Sequence, residues 1–286
     1  MASDQVFVGV GSDEAIDVLF RVFCRPGVDN VLICPPTYGM YNVTAKVNDV
    51  MVLKVPLSSS FDLRVDNILS AFDKNTKIIF VCSPGNPTAK SIPLTDILKI
   101  ANSNYSGLIV VDEAYVDFAV TPSALSLLKD YNNIVVLQTL SKAFGLAGIR
   151  CGFATGDKSV IQLMNNVKAP YNLSSLASSV AIDAMKNERV LWEHVEVTLQ
   201  ERERVALALN NKPYVVKVHH SDSNFLLFEM KANAQRVYKT MADNGVVSRF
   251  RGNETHCKEC IRVTVGRREE NDTMLNQLDV AWEACL

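Results

Sequence analysis

The chain has 286 residues, of which 21% are charged, and its formal net charge is −2 at pH 7. So small a charge does not attract nucleic acid or an anionic membrane surface, and we expect neither as a partner. The first residues lack the basic and apolar regions of a secretory signal, and no apolar run is long enough to cross a bilayer, which predicts a cytoplasmic protein.

The cysteines predict neither a disulfide framework nor a metal site. There are seven of them, an odd number spread over a long chain, which favours reduced thiols. Cys257 and Cys260 form a CxxC motif beside His256. A zinc site would need a second pair at matching spacing, and because the sequence has none we expect no bound metal.

The first predicted strand, residues 6–10, leads through Gly11 into an amphipathic helix that we expect to reach about Cys24. Ser12 or Asp13 would cap this helix. A glycine followed by a helix amino terminus suits a phosphate, because free N–H groups and the helix dipole both favour an anion. An ordinary capped helix is the simpler alternative.

Apolar runs alternate with helical segments along the rest of the first two thirds of the chain. The further predicted strands are residues 31–34, 50–55, 77–82, 108–111, 134–137 and 151–154. Continuous apolar runs, rather than an alternation of period two, indicate strands that are buried on both faces. This predicts an α/β fold with a largely parallel sheet covered by helices.

Polar side chains follow several of these strands, at the sheet edge where open α/β proteins bind ligands. Tyr38 comes after two prolines that end the strand 31–34, and Asn86 lies in a turn between two prolines. We expect Tyr38 either to stack on an aromatic cofactor ring or to be half-buried packing. Asn86 can both donate and accept hydrogen bonds.

Asp112 and Glu113 end the apolar run 108–111, and Tyr115 follows closely enough to serve the same pocket. A carboxylate this near a buried strand needs a partner, because an unpaired buried charge is costly. The partner of Asp112 is either Arg150, as a structural pair, or the protonated ring nitrogen of a cofactor.

Lys142 is the candidate reactive group. It follows the strand 134–137, in a segment that becomes glycine-rich before Arg150. An amine among apolar neighbours and close to Arg150 would have the lowered pKa that a Schiff-base lysine needs. The simpler alternative is a lysine that only solvates the end of a strand.

The character of the sequence changes near residues 210–213. Short strands are predicted at residues 214–218, 224–230, 246–249 and 261–265, with helices between and after them. This is an α+β arrangement, so we divide the chain into a large domain, residues 1–190, and residues 191–286, which supply a connecting helix and a smaller C-terminal domain.

The strand ends together offer the groups that pyridoxal phosphate catalysis needs. The sequence resembles the fold-type I, pyridoxal-phosphate-dependent aminotransferases, and the resemblance covers nearly the whole chain. It rests on residues 83–88 (Ser-Pro-Gly-Asn-Pro-Thr), residues 112–115 (Asp-Glu-Ala-Tyr) and Ser141-Lys142 with Arg150 downstream. Within that family, residues 34–41, 139–144 and 169–174 look like those of histidinol-phosphate aminotransferases.

The resemblance implies a role for each site residue. Lys142 would bind the cofactor and move the proton at the substrate α-carbon, and Asp112 would pair with the ring nitrogen. The other implied cofactor contacts are Asn86 and Tyr115 at the ring hydroxyl, Tyr38 on the ring, and Ser12, Asp13, Ser141 and Arg150 around the phosphate. Arg262 would take the anionic group of either substrate, and Arg249 would lie near the substrate phosphate.

The resemblance also implies the substrates and the assembly. The substrates would be histidinol phosphate and its keto form, with 2-oxoglutarate and glutamate as the second pair. The protein would be a homodimer. Two departures from the family pattern stand out. Ala89 replaces the usual glycine after residues 83–88, which raises the question whether this turn needs a positive φ. The sequence also begins near the first strand, without the segment that usually precedes it in the family.

Three alternatives remain open from the sequence. One is another enzyme of the same class, such as an aromatic aminotransferase or a threonine-phosphate decarboxylase. Another is a truncated protein that binds pyridoxal phosphate with little or no turnover. A nucleotide-binding protein is the least favoured, because no GxGxxG motif follows a strand.

Overall fold

The computed structural model describes residues 2–286. Over this range the chain forms two β-sheets. The strands of the first sheet are β1 (Val6–Val10), β2 (Asn30–Ile33), β3 (Met51–Lys54), β4 (Thr76–Cys82), β5 (Leu108–Asp112), β6 (Ile134–Thr139) and β7 (Cys151–Thr155). Those of the second are β8 (Val215–Val218), β9 (Phe225–Met230), β10 (Arg249–Phe250) and β11 (Cys260–Thr264).

The first sheet has the strand order β1-β7-β6-β5-β4-β2-β3. The strands from β6 to β3 pair in parallel, which confirms the predicted α/β class, whereas β7 is antiparallel to both β6 and β1. The reversal follows from the connection, because residues 140–150 carry no crossover helix of the kind that a parallel neighbour requires. Those same residues form one wall of the candidate site.

Helices cover both faces of this sheet. The helices of the described chain are α1 (Gly11–Phe23), α2 (Met40–Val47), α3 (Val65–Ala71), α4 (Leu94–Ala101), α5 (Lys158–Val167), α6 (Ser175–Lys186), α7 (Glu188–Asn210), α8 (Ala234–Asp243) and α9 (Arg268–Glu283). Successive residues of β4 point to opposite faces, so Phe80 packs with α1 and α2 while Ile79 packs with α3 and α4. Among residues 2–286, no helix is both long enough and apolar enough to cross a membrane.

The second sheet is antiparallel, with the order β10-β11-β9-β8, and packs with α8, α9 and the second half of α7. The long helix α7 belongs to both parts of the chain. Leu191 packs near Tyr115, which follows β5 of the large sheet, whereas Val205 and Leu209 lie in the core of the small sheet. The division after residue 190 falls in the first turn of α7 and stays a prediction.

The predicted cap of α1 is wrong. Neither Ser12 nor Asp13 caps α1: its N-cap is Val10, so both residues lie inside the first turn. Helix α2 was not predicted; it begins directly after the prolines and glycine of residues 35–39.

Candidate active site

A cavity of about 290 Å³ opens at the carboxyl ends of β4, β5 and β6, between the large sheet and the small one. Its lining residues are Ser12, Asp13, Tyr38, Cys82, Asn86, Asp112, Ala114, Tyr115, Thr139, Ser141, Lys142, Ala147, Arg150, Arg251 and Arg262. The cavity brings together every site residue that the sequence predicted except Arg249. The catalytic or binding role of each remains a prediction.

Asp112 is the last residue of β5 and is 3% exposed. Its carboxylate accepts a hydrogen bond of 2.7 Å from the Tyr41 hydroxyl and one of 3.2 Å from the backbone N–H of Ala114. Burial raises the pKa of Asp112, although these two donors and the nearby Lys142 oppose the rise. The site therefore holds a carboxylate whose negative charge the protein only partly compensates.

The structure tests one of the two partners foreseen for Asp112. Arg150 is not its partner, because the Arg150 guanidinium lies 3.3 Å from Asp13, and within residues 2–286 no salt bridge involves Asp112. A buried carboxylate without a cationic partner is costly unless a ligand supplies the charge. This fits a ligand with a protonated ring nitrogen.

Glu113 turns away from the cavity, although it is adjacent to Asp112 in the sequence. Successive residues of an extended chain point to opposite sides. The carboxylate of Glu113 accepts hydrogen bonds from the Ser123 hydroxyl and the backbone N–H of Ala124, both at 2.6 Å, and from Gln138 at 3.1 Å. Glu113 thus fixes the chain that follows β5.

Lys142 lies half-buried beyond the end of β6, with its Nζ 5.3 Å from the centre of the Tyr115 ring. Burial is the main cause that lowers its pKa, and the positive charge of Arg262 is the second; Asp13 and Asp112 oppose the shift. The predicted direction is confirmed, but Arg262 contributes more than the Arg150 that the sequence suggested. A lowered pKa increases the fraction of neutral amine, which is the nucleophilic form.

Asn86 and Tyr115 lie beside Arg262 of β11. The Arg262 Nη1 donates to Asn86 Oδ1 at 2.6 Å, which leaves the amide nitrogen of Asn86 as a donor. The Arg262 guanidinium also lies 4.7 Å from the ring centre of Phe225. Burial raises the pKa of Tyr115 to about 12, so its phenol remains protonated and able to donate. The Nε of Arg262 is buried without an acceptor.

The amino terminus of α1 forms the opposite end of the cavity, where Ser12 and Asp13 lie with Arg150. Arg150 has a left-handed backbone (φ 53°), and its carbonyl accepts a 3.0 Å hydrogen bond from the N–H of Gly11. Gly11 has φ +73°, and a Cβ there would lie 2.5 Å from the Arg150 Nη2, so only glycine lets the guanidinium approach. Tyr38 donates from its hydroxyl to Asp13 at 3.0 Å.

Ser141 and Thr139 extend this end of the cavity. The backbone N–H of Ser141 donates to the Thr139 hydroxyl at 3.2 Å, and the two hydroxyls are 2.9 Å apart. Hydroxyl groups, free N–H groups of a helix terminus and a guanidinium are together the donor set that binds a phosphate.

Sequence reasoning missed Arg251 and Tyr41. Arg249 is exposed, donates to its neighbouring carbonyl on Ser248 at 3.0 Å and does not line the cavity, whereas Arg251 does. Side chains two residues apart in an extended segment point to the same face, so the sequence offered Arg251 as a second candidate beside Arg249. Tyr41 had no such signal, because its contact with Asp112 joins residues 71 apart in the sequence.

The turn that carries Asn86 ends at Ala89, which is fully buried with φ +60°. Its N–H donates to the carbonyl of Gly85 at 2.8 Å, and its carbonyl accepts from the N–H of Asp222 at 2.7 Å. The turn therefore does use the left-handed conformation that glycine adopts without strain. Alanine occupies this position in spite of its Cβ.

Residues 1–278 match the family described as Aminotransferase class I and II. The chain belongs to this family. The aminotransferase is 43% identical to "Histidinol-phosphate aminotransferase" of Parabacteroides distasonis, over 96% of this chain and 79% of the relative. It is also 43% identical to the protein of the same name from Schizosaccharomyces pombe, over 99% of this chain and 78% of the relative.

Solved structures show the same fold. The histidinol-phosphate aminotransferase of Clostridium acetobutylicum superimposes with a TM-score of 0.89 at 23% identity and covers 98% of this aminotransferase and 84% of that chain. The enzyme of that name from Sinorhizobium meliloti, in complex with pyridoxal 5'-phosphate, also has a TM-score of 0.89, at 22% identity. The match covers 99% of this aminotransferase and 78% of that chain. These matches confirm the predicted fold type.

Proposed function

We propose that this aminotransferase uses pyridoxal 5'-phosphate to exchange the amino group between L-histidinol phosphate and 2-oxoglutarate, a step of histidine biosynthesis. The observation that carries the proposal is the cavity itself, where Lys142 and the buried, unpaired Asp112 face the arginines of the small sheet. The substrate follows from relatives at 43% identity that are named histidinol-phosphate aminotransferase.

The residues of the cavity fit the cofactor end to end. Asp112 would pair with its ring nitrogen, Asn86 and Tyr115 would hydrogen-bond its ring hydroxyl, and Tyr38 would pack on the ring. Ser12, Asp13, Ser141 and Arg150 would surround its phosphate at the start of α1. When bound, pyridoxal phosphate supplies a carbonyl that takes up the amine and a ring that accepts the electrons released at the α-carbon.

Lys142 would hold the cofactor and then transfer the proton at the substrate α-carbon. Its lowered pKa suits both tasks, since the amine must lose its proton to attack a carbonyl and to act as a base. The carboxylate of Asp112 would favour the protonated form of the cofactor's ring nitrogen. Arg262 would bind the substrate's anionic group and orient the α-carbon toward Lys142.

The direct test is turnover by the purified protein loaded with the cofactor. With L-histidinol phosphate and 2-oxoglutarate we expect glutamate to form, and with L-phenylalanine as the amino donor we expect a much lower rate. A higher rate with phenylalanine would show an aromatic aminotransferase. A spectrum of bound cofactor without glutamate formation would instead show a binding protein.

We also propose that the protein is a homodimer that works in the cytoplasm. The region from α6 into α7 exposes large apolar side chains, which favours a contact with a second copy. They include Leu176 (80% exposed), Ile182 (52%) and Trp192 (52%). All seven cysteines are unpaired, which suits a reducing compartment.

Sedimentation velocity tests the assembly. We expect the wild type to sediment as a dimer and Ile182→Glu as a monomer. Leu207→Glu is the matched control, because Leu207 is 64% exposed on the second half of α7, outside that apolar region. An unchanged dimer in Ile182→Glu would contradict the proposed contact surface.

A further inference from the structure

The loop between β8 and β9, residues 219–224, reaches from the small sheet to the turn that carries Asn86. The backbone N–H of Asp222 donates to the carbonyl of Ala89 at 2.7 Å. The carboxylate of Asp222 accepts a hydrogen bond of 2.9 Å from the backbone N–H of Ser91. One residue of the small sheet's loop therefore binds the chain on both sides of Lys90.

The turn around Asn86 has a conformation that needs support from outside. Ala89 is fully buried with φ +60°, which is strained for a residue with a Cβ. The N–H of Gly85 donates to the carbonyl of Lys90 at 2.9 Å and so closes the turn. A strained backbone persists only where the surrounding structure determines it. The two hydrogen bonds of Asp222 fix the end of this closed turn.

The loop that supplies Asp222 is itself held in place. The buried Ser221 hydroxyl donates to the carbonyl of Phe225 at 2.7 Å and accepts from the N–H of Ser223 at 3.1 Å. The Nη1 of Arg202, a buried residue of α7, donates to the carbonyl of Ser223 at 3.0 Å. Asp222 therefore lies on a rigid support, as a residue that positions another group requires.

The two oxygens of the Asp222 carboxylate have different environments. Oδ2 accepts from the N–H of Ser91, whereas Oδ1 lies 3.0 Å from the Nε2 of His220. The side chain of Asp222 is 16% exposed and that of His220 is 73% exposed. Burial raises the pKa of Asp222, but the hydrogen bonds from Ser91 and His220 lower it by more, so the carboxylate is ionised. A hydrogen bond to an ionised acceptor is stronger than one between neutral groups.

Asn86 is thus connected to the small sheet at two points. Arg262 donates to its Oδ1 at 2.6 Å, which fixes the rotation of the side chain. Asp222 holds the end of the turn, which fixes the place of the backbone. With Oδ1 engaged, the amide nitrogen of Asn86 is the donor that remains for the ring hydroxyl of the cofactor. A displacement of about 1 Å is enough to impair such a contact.

We propose that Asp222 is a positioning residue, which places the amide nitrogen of Asn86 against the cofactor's ring hydroxyl by holding Ala89 and Ser91. The inference rests on the proposed function and deepens it by assigning a residue outside the cavity lining that acts on the ring through Asn86. A donor at the ring oxygen stabilises its deprotonated form. Asp222 therefore influences the protonation of the bound cofactor.

The test follows the absorbance of the cofactor-loaded protein as a function of pH. For Asp222→Ala we expect the midpoint of the absorbance change to rise by about 0.3–0.7 pH unit, the upper value corresponding to the loss of one ordinary hydrogen bond. Asp222→Asn keeps an oxygen acceptor for the N–H of Ser91 and should restore most of the wild-type midpoint. His220→Gln is the matched control and should leave it unchanged, since it alters only the exposed contact of the same carboxylate.

Hydrogen exchange of the cofactor-free protein gives a second readout. In Asp222→Ala the amide of Ser91 should exchange about 10-fold faster, because it has lost its acceptor, whereas the amides of β4 should keep their rates. Should Asp222→Ala fail to fold, Asp222→Glu carries the test. It keeps the charge but displaces the carboxylate from Ser91, so its midpoint should rise as well.

An unchanged midpoint in the folded Asp222→Ala or Asp222→Glu protein would overturn the proposal, because Asp222 would then be only a structural contact. An equal rise in His220→Gln would also overturn it, since the midpoint would then follow surface charge and not the bond to Ser91. If the wild type shows no absorbance of bound cofactor at any pH, the proposed function fails instead.

Discussion

The two walls of the cavity carry opposite, incompletely compensated charges. On the large-sheet wall Asp112 is buried with hydrogen bonds from Tyr41 and Ala114 but makes no salt bridge within residues 2–286. On the small-sheet wall Arg251 and Arg262 each keep a buried Nε without an acceptor. This difference between the walls favours the proposed arrangement, with a protonated ring at the large-sheet wall and an anionic substrate group at the small-sheet wall.

The largest effect on the large-sheet wall should come from Lys142→Ala. Removing the amine removes both the attachment point and the proton carrier, and proton transfer by a side chain is commonly worth about 10²–10⁴-fold in rate. We expect transamination to fall by at least that factor, measured as glutamate formed. Lys168→Ala, a lysine outside the cavity lining, is the control and should retain activity.

Asp112→Asn keeps the shape of the same wall but removes its charge. We expect kcat to fall about 100-fold, a magnitude typical for the loss of one electrostatic group that stabilises the transition state. Arg150→Gln, at the phosphate end, should instead weaken cofactor binding and change kcat less. An unchanged kcat in Asp112→Asn would contradict the proposed role of the Asp112 charge on the large-sheet wall.

Asp112→Asn should also make the cofactor-free protein more stable at neutral pH. Because burial raises the pKa of Asp112, the folded state binds this proton more tightly than the unfolded chain does. The free energy of unfolding therefore falls as the pH rises from the ordinary aspartate pKa through the raised folded pKa, and the loss persists above it. Asp112→Asn should remove this slope, which urea unfolding at several pH values measures.

Gly152→Ala tests the packing at the start of α1, the end of the cavity that is proposed to hold the cofactor phosphate. A Cβ at Gly152 of β7 would overlap the backbone nitrogen of Ser12, so the start of α1 must shift. Overpacking of this kind typically costs about 1–3 kcal/mol. We expect a lower free energy of unfolding and weaker cofactor binding, whereas Gly148→Ala, which has open space around its Cβ, should change neither.

Ala89→Gly should have the smallest effect. Glycine relieves a left-handed conformation that costs alanine about 1–2 kcal/mol. It also gives up a fully buried methyl group, worth about 0.8 kcal/mol. The net change in the free energy of unfolding should therefore be a gain of about 1 kcal/mol or less, and a loss in chemical denaturation would show that packing outweighs the backbone strain.

The two walls also differ in how far the sequence predicts them. The polar residues of the large-sheet wall follow apolar runs directly, so that Asn86, Asp112 and Lys142 could be placed at one edge from strand order alone. The choice between Arg249 and Arg251 could not be made this way, because it depends on the register between β10 and β11 and on the turns of the loop. The hydrogen bond from Tyr41 to Asp112 joins residues 71 apart in the sequence, which no local pattern reveals.

The attachment of the cofactor at Lys142 is the central claim, and one measurement tests it directly. The wild-type protein is loaded with pyridoxal 5'-phosphate, treated with borohydride to fix the cofactor covalently, digested and mapped by mass spectrometry. The structure predicts a single modified peptide that carries the label on Lys142. A label on another lysine, or no stable label at all, would contradict the assignment of this cavity as the active site.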